Sequence, residues 1–151
     1  MDTSKWRMAH SPRLPLMQLL LPVAFSRDPG EDTYAYKPTP RGSRWSASDK
    51  SQISVSIADS SQYLFTHLPE ADSTLPEFGR CEEMVGKARA VIVSYNKLEE
   101  VGDLAYIGPF QIFAELRTPE GGVIQVETSA TTRHRHEELL RAVRTIRIGL
   151  K

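Results

Sequence analysis

His134 and His136 stand two residues apart beside Glu137 and Glu138, and side chains of these types invite a metal-binding reading. The spacing argues against it. On a helix, positions two apart diverge by about 200°, so the two imidazoles cannot both face one ion. His134 and Glu138 do share a helical face, but an exposed polar pair falls short of the three or four ligands a transition metal usually takes. No metal ligand set is expected.

Cys81 is the only cysteine, and with His67 it has the types of a nucleophile and its base. Nothing in the sequence brings the two together. Glu82 and Glu83 sit beside the thiol and oppose formation of the reactive thiolate, so a half-buried structural cysteine is the simpler reading. Having one cysteine also excludes an intramolecular disulfide framework. No Gly-rich phosphate loop, G-x-S-x-G elbow or paired-cysteine metal motif occurs, which weighs mildly against an enzyme.

Arg141, Arg144 and Arg147 recur at every third position, with Arg133, Arg135 and Lys151 nearby. This is either a stripe for phosphate or an acidic partner, or the solvated side of a helix whose dipole favours cations near its C-terminus. Nineteen basic and nineteen acidic side chains cancel over the chain, so there is no global field for nucleic acid or anionic membrane. Nucleic acid is not expected as a partner.

The residues best placed for protein recognition are Glu99, Glu100 and Asp103, in an acidic loop, with Tyr106 and Phe113. Phe113 lies opposite Phe110, Ile112, Ala114 and Leu116 in strand alternation, in the company of Gln111 and Glu115. A large apolar group there marks either a contact surface or a second sheet face covered by a helix of the same domain.

These residues need a scaffold, and the patterning supplies one. Ile53, Val55 and Ile57 alternate with Ser54 and Ser56 as a strand. Ser60 or Ser61 caps a short helix containing Tyr63, Leu64 and Leu68, which Pro69 ends. CEEMV and ARAVIVSY flank Gly86-Lys87 as a hairpin, and FQIFAELR and VIQVETS form a longer one across TPEGG. Thr131 or Thr132 caps a helix from about Arg133 to Thr145, with Leu139, Leu140, Val143 and Ile146 as its apolar stripe. Residues 27–50 are rich in Pro, Gly, Ser and charge, around a short edge strand near Tyr34 and Tyr36. The class is α+β: an antiparallel sheet of about six to seven strands with helices packed on it.

The 151 residues suit one domain, read as a tail over 1–13 and a single domain over 14–151. LPLMQLLLPVAFS, residues 14–26, is the most apolar stretch and follows Lys5, Arg7 and Arg13. It is too short to span a bilayer, which takes roughly 20 residues. As a secretory signal it is interrupted by Pro15, Gln18 and Pro22 and lacks a small-x-small cleavage pattern. Met17 to Leu21 is expected as a buried strand, with Pro22 to Phe25 turning out of it. The expected location is therefore the cytoplasm, or export if residues 14–26 act as a signal.

Gly86 and Ala88 before a strand ending in Tyr95, the aromatic strand YIGPFQIFAEL, the Gly-Gly turn, VIQVETSAT and a helix running into LLRAVRTIRI form a linear pattern. It resembles the PsbP-like superfamily, which includes DcrB-like proteins and effector-associated chaperones of type VI secretion. The resemblance implies binding rather than catalysis and no cofactor. The expected function is a small non-enzymatic protein-binding protein: an adaptor, secretion chaperone or immunity-type inhibitor, its partner another protein such as a secreted effector or toxin. The alternative is an exported or photosystem- or membrane-associated accessory subunit; a third reading is an enzyme using Cys81 or the His134/Glu138 region. Oligomeric state is left open.

Overall fold

The computed structural model describes residues 3–11, 14–27, 42–58, 79–96 and 109–149. Its larger sheet has seven strands: β3 (Ser26–Arg27), β4 (Gly42–Ser46), β5 (Gln52–Ala58), β6 (Gly79–Val85), β7 (Ala88–Asn96), β8 (Phe110–Arg117) and β9 (Val123–Ala130). Their spatial order is β3-β4-β5-β9-β8-β7-β6, and every neighbouring pair is antiparallel. A smaller sheet is ordered β1-β2-β10, from β1 (Arg7–Ala9), β2 (Met17–Leu21) and β10 (Arg147–Ile148). One helix, α1 (Arg133–Val143), completes the described elements. The architecture is the α+β class expected from the alternating strands.

Period-2 patterning explains the strands. In β8 the side chains of Phe110, Ile112, Ala114 and Leu116 are buried while those between them are only half so. Register then aligns buried rows: Ile112 meets Thr128, Ala114 meets Val126 and Leu116 meets Ile124. Each fully buried Ile or Leu contributes about 1.5–3 kcal/mol of transfer free energy, so slipping β8 by one residue would forfeit several such terms.

On the second face Val93, Val123 and Gln125 are also buried. On that face Phe113 stacks on Tyr95 with ring centroids 5.8 Å apart, and no helix among the described residues covers it.

The core lies between the other face, α1 and the small sheet. Leu139, Ala142 and Val143 of α1 are fully buried there, with Met17, Leu19 and Leu21 of β2 and Phe25 beyond it. MQLLL is thus a buried strand, and the Phe25 amide closes the following turn on the Pro22 carbonyl at 3.0 Å. β1, inside the segment read as a tail, pairs with β2 from Arg7↔Leu21 to Ala9↔Leu19. Thr132 caps α1, its hydroxyl accepting the Arg135 amide at 3.1 Å. The helix ends at Val143, two residues short of the expected Thr145, because the Thr145 amide and hydroxyl both return to the Ala142 carbonyl.

No helix among the described residues is long and apolar enough to cross a membrane. The expected edge strand near Tyr34 and Tyr36 and the short helix around Tyr63 to Leu68 lie outside the described residues.

Candidate functional site

β9 runs from the TPEGG turn to the start of α1, and α1 carries the chain back along the sheet. The return brings β10 to the end of the sheet where the β6–β7 and β8–β9 turns lie, and a groove of about 490 Å³ opens between them. Val85, Ala88, Leu116, Ile124, Ile146 and Ile148 give it an apolar lining, and Lys87, Arg147 and Glu120 bring charge to it. The volume is that of a ligand or peptide side-chain site.

Each wall has a local cause. Gly86 takes φ +60°, and Val85 pairs with Ala88 across the two-residue Gly86-Lys87 link. A positive φ at the first central position suits a tight primed hairpin turn. In the other turn Gly121 takes φ +92°, the Thr118 amide donates to the Gly122 carbonyl at 2.9 Å, and the Gly121 amide returns to Thr118 at 3.0 Å. β10 is anchored to β2 by Arg147↔Gln18 and Ile148↔Met17, and the Gly149 amide donates to the Leu16 carbonyl at 2.6 Å. Arg147 lies over the first turn so closely that a Cβ on Gly86 would stand 2.8 Å from its Cδ. One guanidinium nitrogen of Arg147 also donates to the carbonyls of Arg144 and Ile146, at 3.1 and 2.7 Å.

Beside the groove, Arg144 pairs with Glu83, and the Cys81 thiol donates to Glu83 Oε1 at 3.3 Å. Burial, then the Glu83 acceptor and its charge, push the thiol up, outweighing the opposite pull of Arg144. Cys81 is half-buried, as the sequence reading expected, and held in its neutral form; His67 lies outside the described residues.

Arg144 and Arg147 of the arginine stripe, and Arg133 beside it, have structural tasks. Arg144 binds Glu83, Arg147 caps carbonyls, and Arg133 sits 5.3 Å from the Phe110 ring centroid. At the other end of α1, Arg135 joins Asp49 at 3.1 Å and Glu138 at 2.7 Å, and lies 5.4 Å from the Phe25 ring centroid. Burial opposes ionisation of Asp49, yet hydrogen bonds from the Ser51 amide and Arg135 hold its carboxyl below the ordinary range. His134 and Glu138 form an i,i+4 pair at 3.6 Å. Among the described residues no group of three metal-ligating side chains converges.

Of the side chains expected to bind a partner, Phe113 is described, half-buried beside Tyr95; Glu99, Glu100, Asp103 and Tyr106 lie outside the described residues. The groove was not foreseen. Its signals were present as two Gly-bearing turns and the alternation Ile146-Arg147-Ile148, but a two-residue strand is too short for periodicity to reveal.

No protein-family model matches the sequence, and no curated protein matches it either. Among solved structures, the chain is similar to a point mutant of the protein Mog1, at 10% identity and a TM-score of 0.51, over 98% of this chain and 96% of that one. It is also similar to the Ran-binding protein Mog1p of Saccharomyces cerevisiae, at 10% identity and a TM-score of 0.47, over 95% of each chain. The first likeness shows a Mog1-like α+β fold and corrects the PsbP-like and DcrB-like resemblance read from the sequence. The apolar spacing and Gly turns behind that resemblance are requirements of antiparallel sheets in general, so they specify class rather than family.

Proposed function

We propose that this protein binds another protein, without a catalytic step, and that the end groove receives part of that partner. The carrying observation is the groove: an apolar lining from three separate parts of the chain, Val85–Ala88, Leu116–Ile124 and Ile146–Ile148, with charge beside it. Apolar centres with polar rims are the usual composition of protein recognition sites. The Mog1-like fold is compatible with this reading and does not by itself carry it. Among the finer roles, an adaptor needs only such a surface. A secretion chaperone or immunity-type inhibitor needs an effector or toxin as partner, and no feature of the groove selects one.

The proposal includes a cytoplasmic location. Its support is β2, the central strand of the small sheet, whose Met17, Leu19 and Leu21 are buried in the core; removing residues before about Ser26 would take that strand away. Intact-mass measurement of the native protein tests this, and a mass lacking those residues sinks it.

The binding reading is tested by co-purification from native cells with the full chain and with Lys87→Glu and Glu120→Lys variants. A specific protein recovered by the parent and reduced several-fold by a variant of unchanged thermal stability is expected. Recovery of no protein, or equal recovery by all three chains, overturns it.

A further inference from the structure

We propose that the groove's occupant is an extended segment of the partner that pairs with β10 as an added strand and carries acidic side chains toward Lys87 and Arg147. The proposal rests on the groove reading above and states how the groove recognises its partner.

The first observation is the register of β10. Among the described residues it occupies an edge of the small sheet. The Gly149 amide bonds to Leu16, and Arg147 stands opposite Gln18. In an antiparallel pair, alternate residues direct their N–H and C=O toward the neighbour. Residues 147 and 149 therefore face β2, and Ile148 presents both backbone groups on the opposite side. Thr145 fits the same alternation, its hydroxyl accepting the Leu20 amide at 3.0 Å. An outward backbone pair on an edge strand is the element that strand addition uses.

The second observation is the lining. An extended chain alternates its side chains, so one set would turn toward the apolar floor, where Ile148 is half-buried above the closed core residues Leu116 and Ile124, while the other remains toward the rim. The rim holds two cations, Lys87 and Arg147, against one acid, Glu120, and all three are exposed. Lys87 has no ion-pair partner among the described residues. Arg147 spends one guanidinium nitrogen on carbonyls, and no carboxylate pairs with it among the described residues. Acidic side chains on the incoming strand complement this balance.

The test uses fluorescein-labelled octapeptides: one alternating Val and Glu, its Val–Lys counterpart, and the Val–Glu peptide N-methylated at every second residue in each of the two registers. Fluorescence anisotropy with the full chain at low salt is expected to show the Val–Glu peptide binding at least about tenfold tighter than Val–Lys. One N-methylated register should lose about tenfold, and Lys87→Glu should weaken the Val–Glu peptide several-fold with unchanged thermal stability. The Ile148 amide resonance should shift on binding. Equal affinity for the two charges, or indifference to both N-methylated registers, overturns the inference while leaving the groove reading to the co-purification result. Failure of every peptide to bind also overturns it; a native partner still lost on Lys87→Glu would then keep the groove and remove only the strand pairing.

Discussion

The Arg144 guanidinium, just beyond the last turn of α1, holds the Glu83 carboxylate of β6 through three contacts: Nη2 to Oε1 at 3.0 Å, and Nε to each oxygen at 3.2 Å. Sixty-one residues separate the two in sequence, so the pair ties the helix end to an edge strand of the large sheet.

The pair makes a prediction about pH. Arg144 holds the Glu83 carboxyl below its ordinary value of 4.5, against a smaller opposing effect of burial. A carboxyl lowered in the folded state stabilises fully above its unfolded value, and that stability is lost as pH falls from about 4.5 through the folded value. The side chains are 42% and 33% exposed, so solvent screening limits the contribution to about 0–1 kcal/mol. Urea unfolding of Glu83→Gln should show that deficit at pH 7 and a smaller one at pH 3.5. A deficit that grows on acidification would refute the assignment.

Arg135 should matter more. Its side chain is 21% exposed and Glu138's is 10% exposed, and replacing Arg135 by Ala leaves a largely buried carboxylate without its guanidinium. Breaking a fully buried pair costs about 3–5 kcal/mol; with partial exposure here, about 1–3 kcal/mol is expected in denaturant unfolding. Arg135→Lys should recover only part, because an ammonium cannot reach Asp49 and Glu138 with the same planar fork. Full recovery by Lys would show that charge alone is at work.

Gly86 meets two constraints, a left-handed backbone and the overlying Arg147. Gly86→Ala should destabilise by about 1–3 kcal/mol, combining the cost of positive φ with the 2.8 Å clash on Arg147 Cδ. In a double-mutant cycle, Arg147→Ala should relieve part of this penalty, since only the backbone strain then remains. Additive effects in thermal unfolding would mean that Arg147 moves aside without cost.

Gln125 offers a gain. It is 2% exposed, and neither its amide nitrogen nor its oxygen has a hydrogen-bond partner among the described residues. A buried unsatisfied polar group costs about 1–3 kcal/mol. Gln125→Met, close in shape, should therefore raise the urea midpoint by the equivalent of about 1 kcal/mol; a fall would show that the amide has a partner in solution.

How much was legible in the sequence follows from how each feature is encoded. The alternation in FQIFAELR and VIQVETS, the Gly-centred turns and a Thr cap at 131 or 132 specify β8, β9 and α1 through neighbours a few residues away; β8 and β9 appear where expected, and α1 starts where expected and ends two residues early. MQLLL reads as a strand for the same reason. Local patterning is read off the chain because backbone geometry repeats every 2 or 3.6 residues.

Partnership across long separations has no such period. Cys81 was legible as a poor nucleophile from its acidic neighbours, but the burial that dominates its shift, and Arg144 beside it, come from the fold. Ser51 reaches Thr131, Asp49 reaches Arg135, and Gly86 lies under Arg147. The groove is of this kind: its three walls come from residues as far apart as Val85 and Ile148, and they meet because α1 turns the chain back over the sheet and β2 captures β10. Sequence alone established the long strands, the final helix and the α+β class, since these are set by local sterics and apolar alternation; the choice of Thr132 over Thr131 as cap, the short strands β1, β3 and β10, and the site came only with tertiary packing, which chose the distant segments that meet where α1 returns.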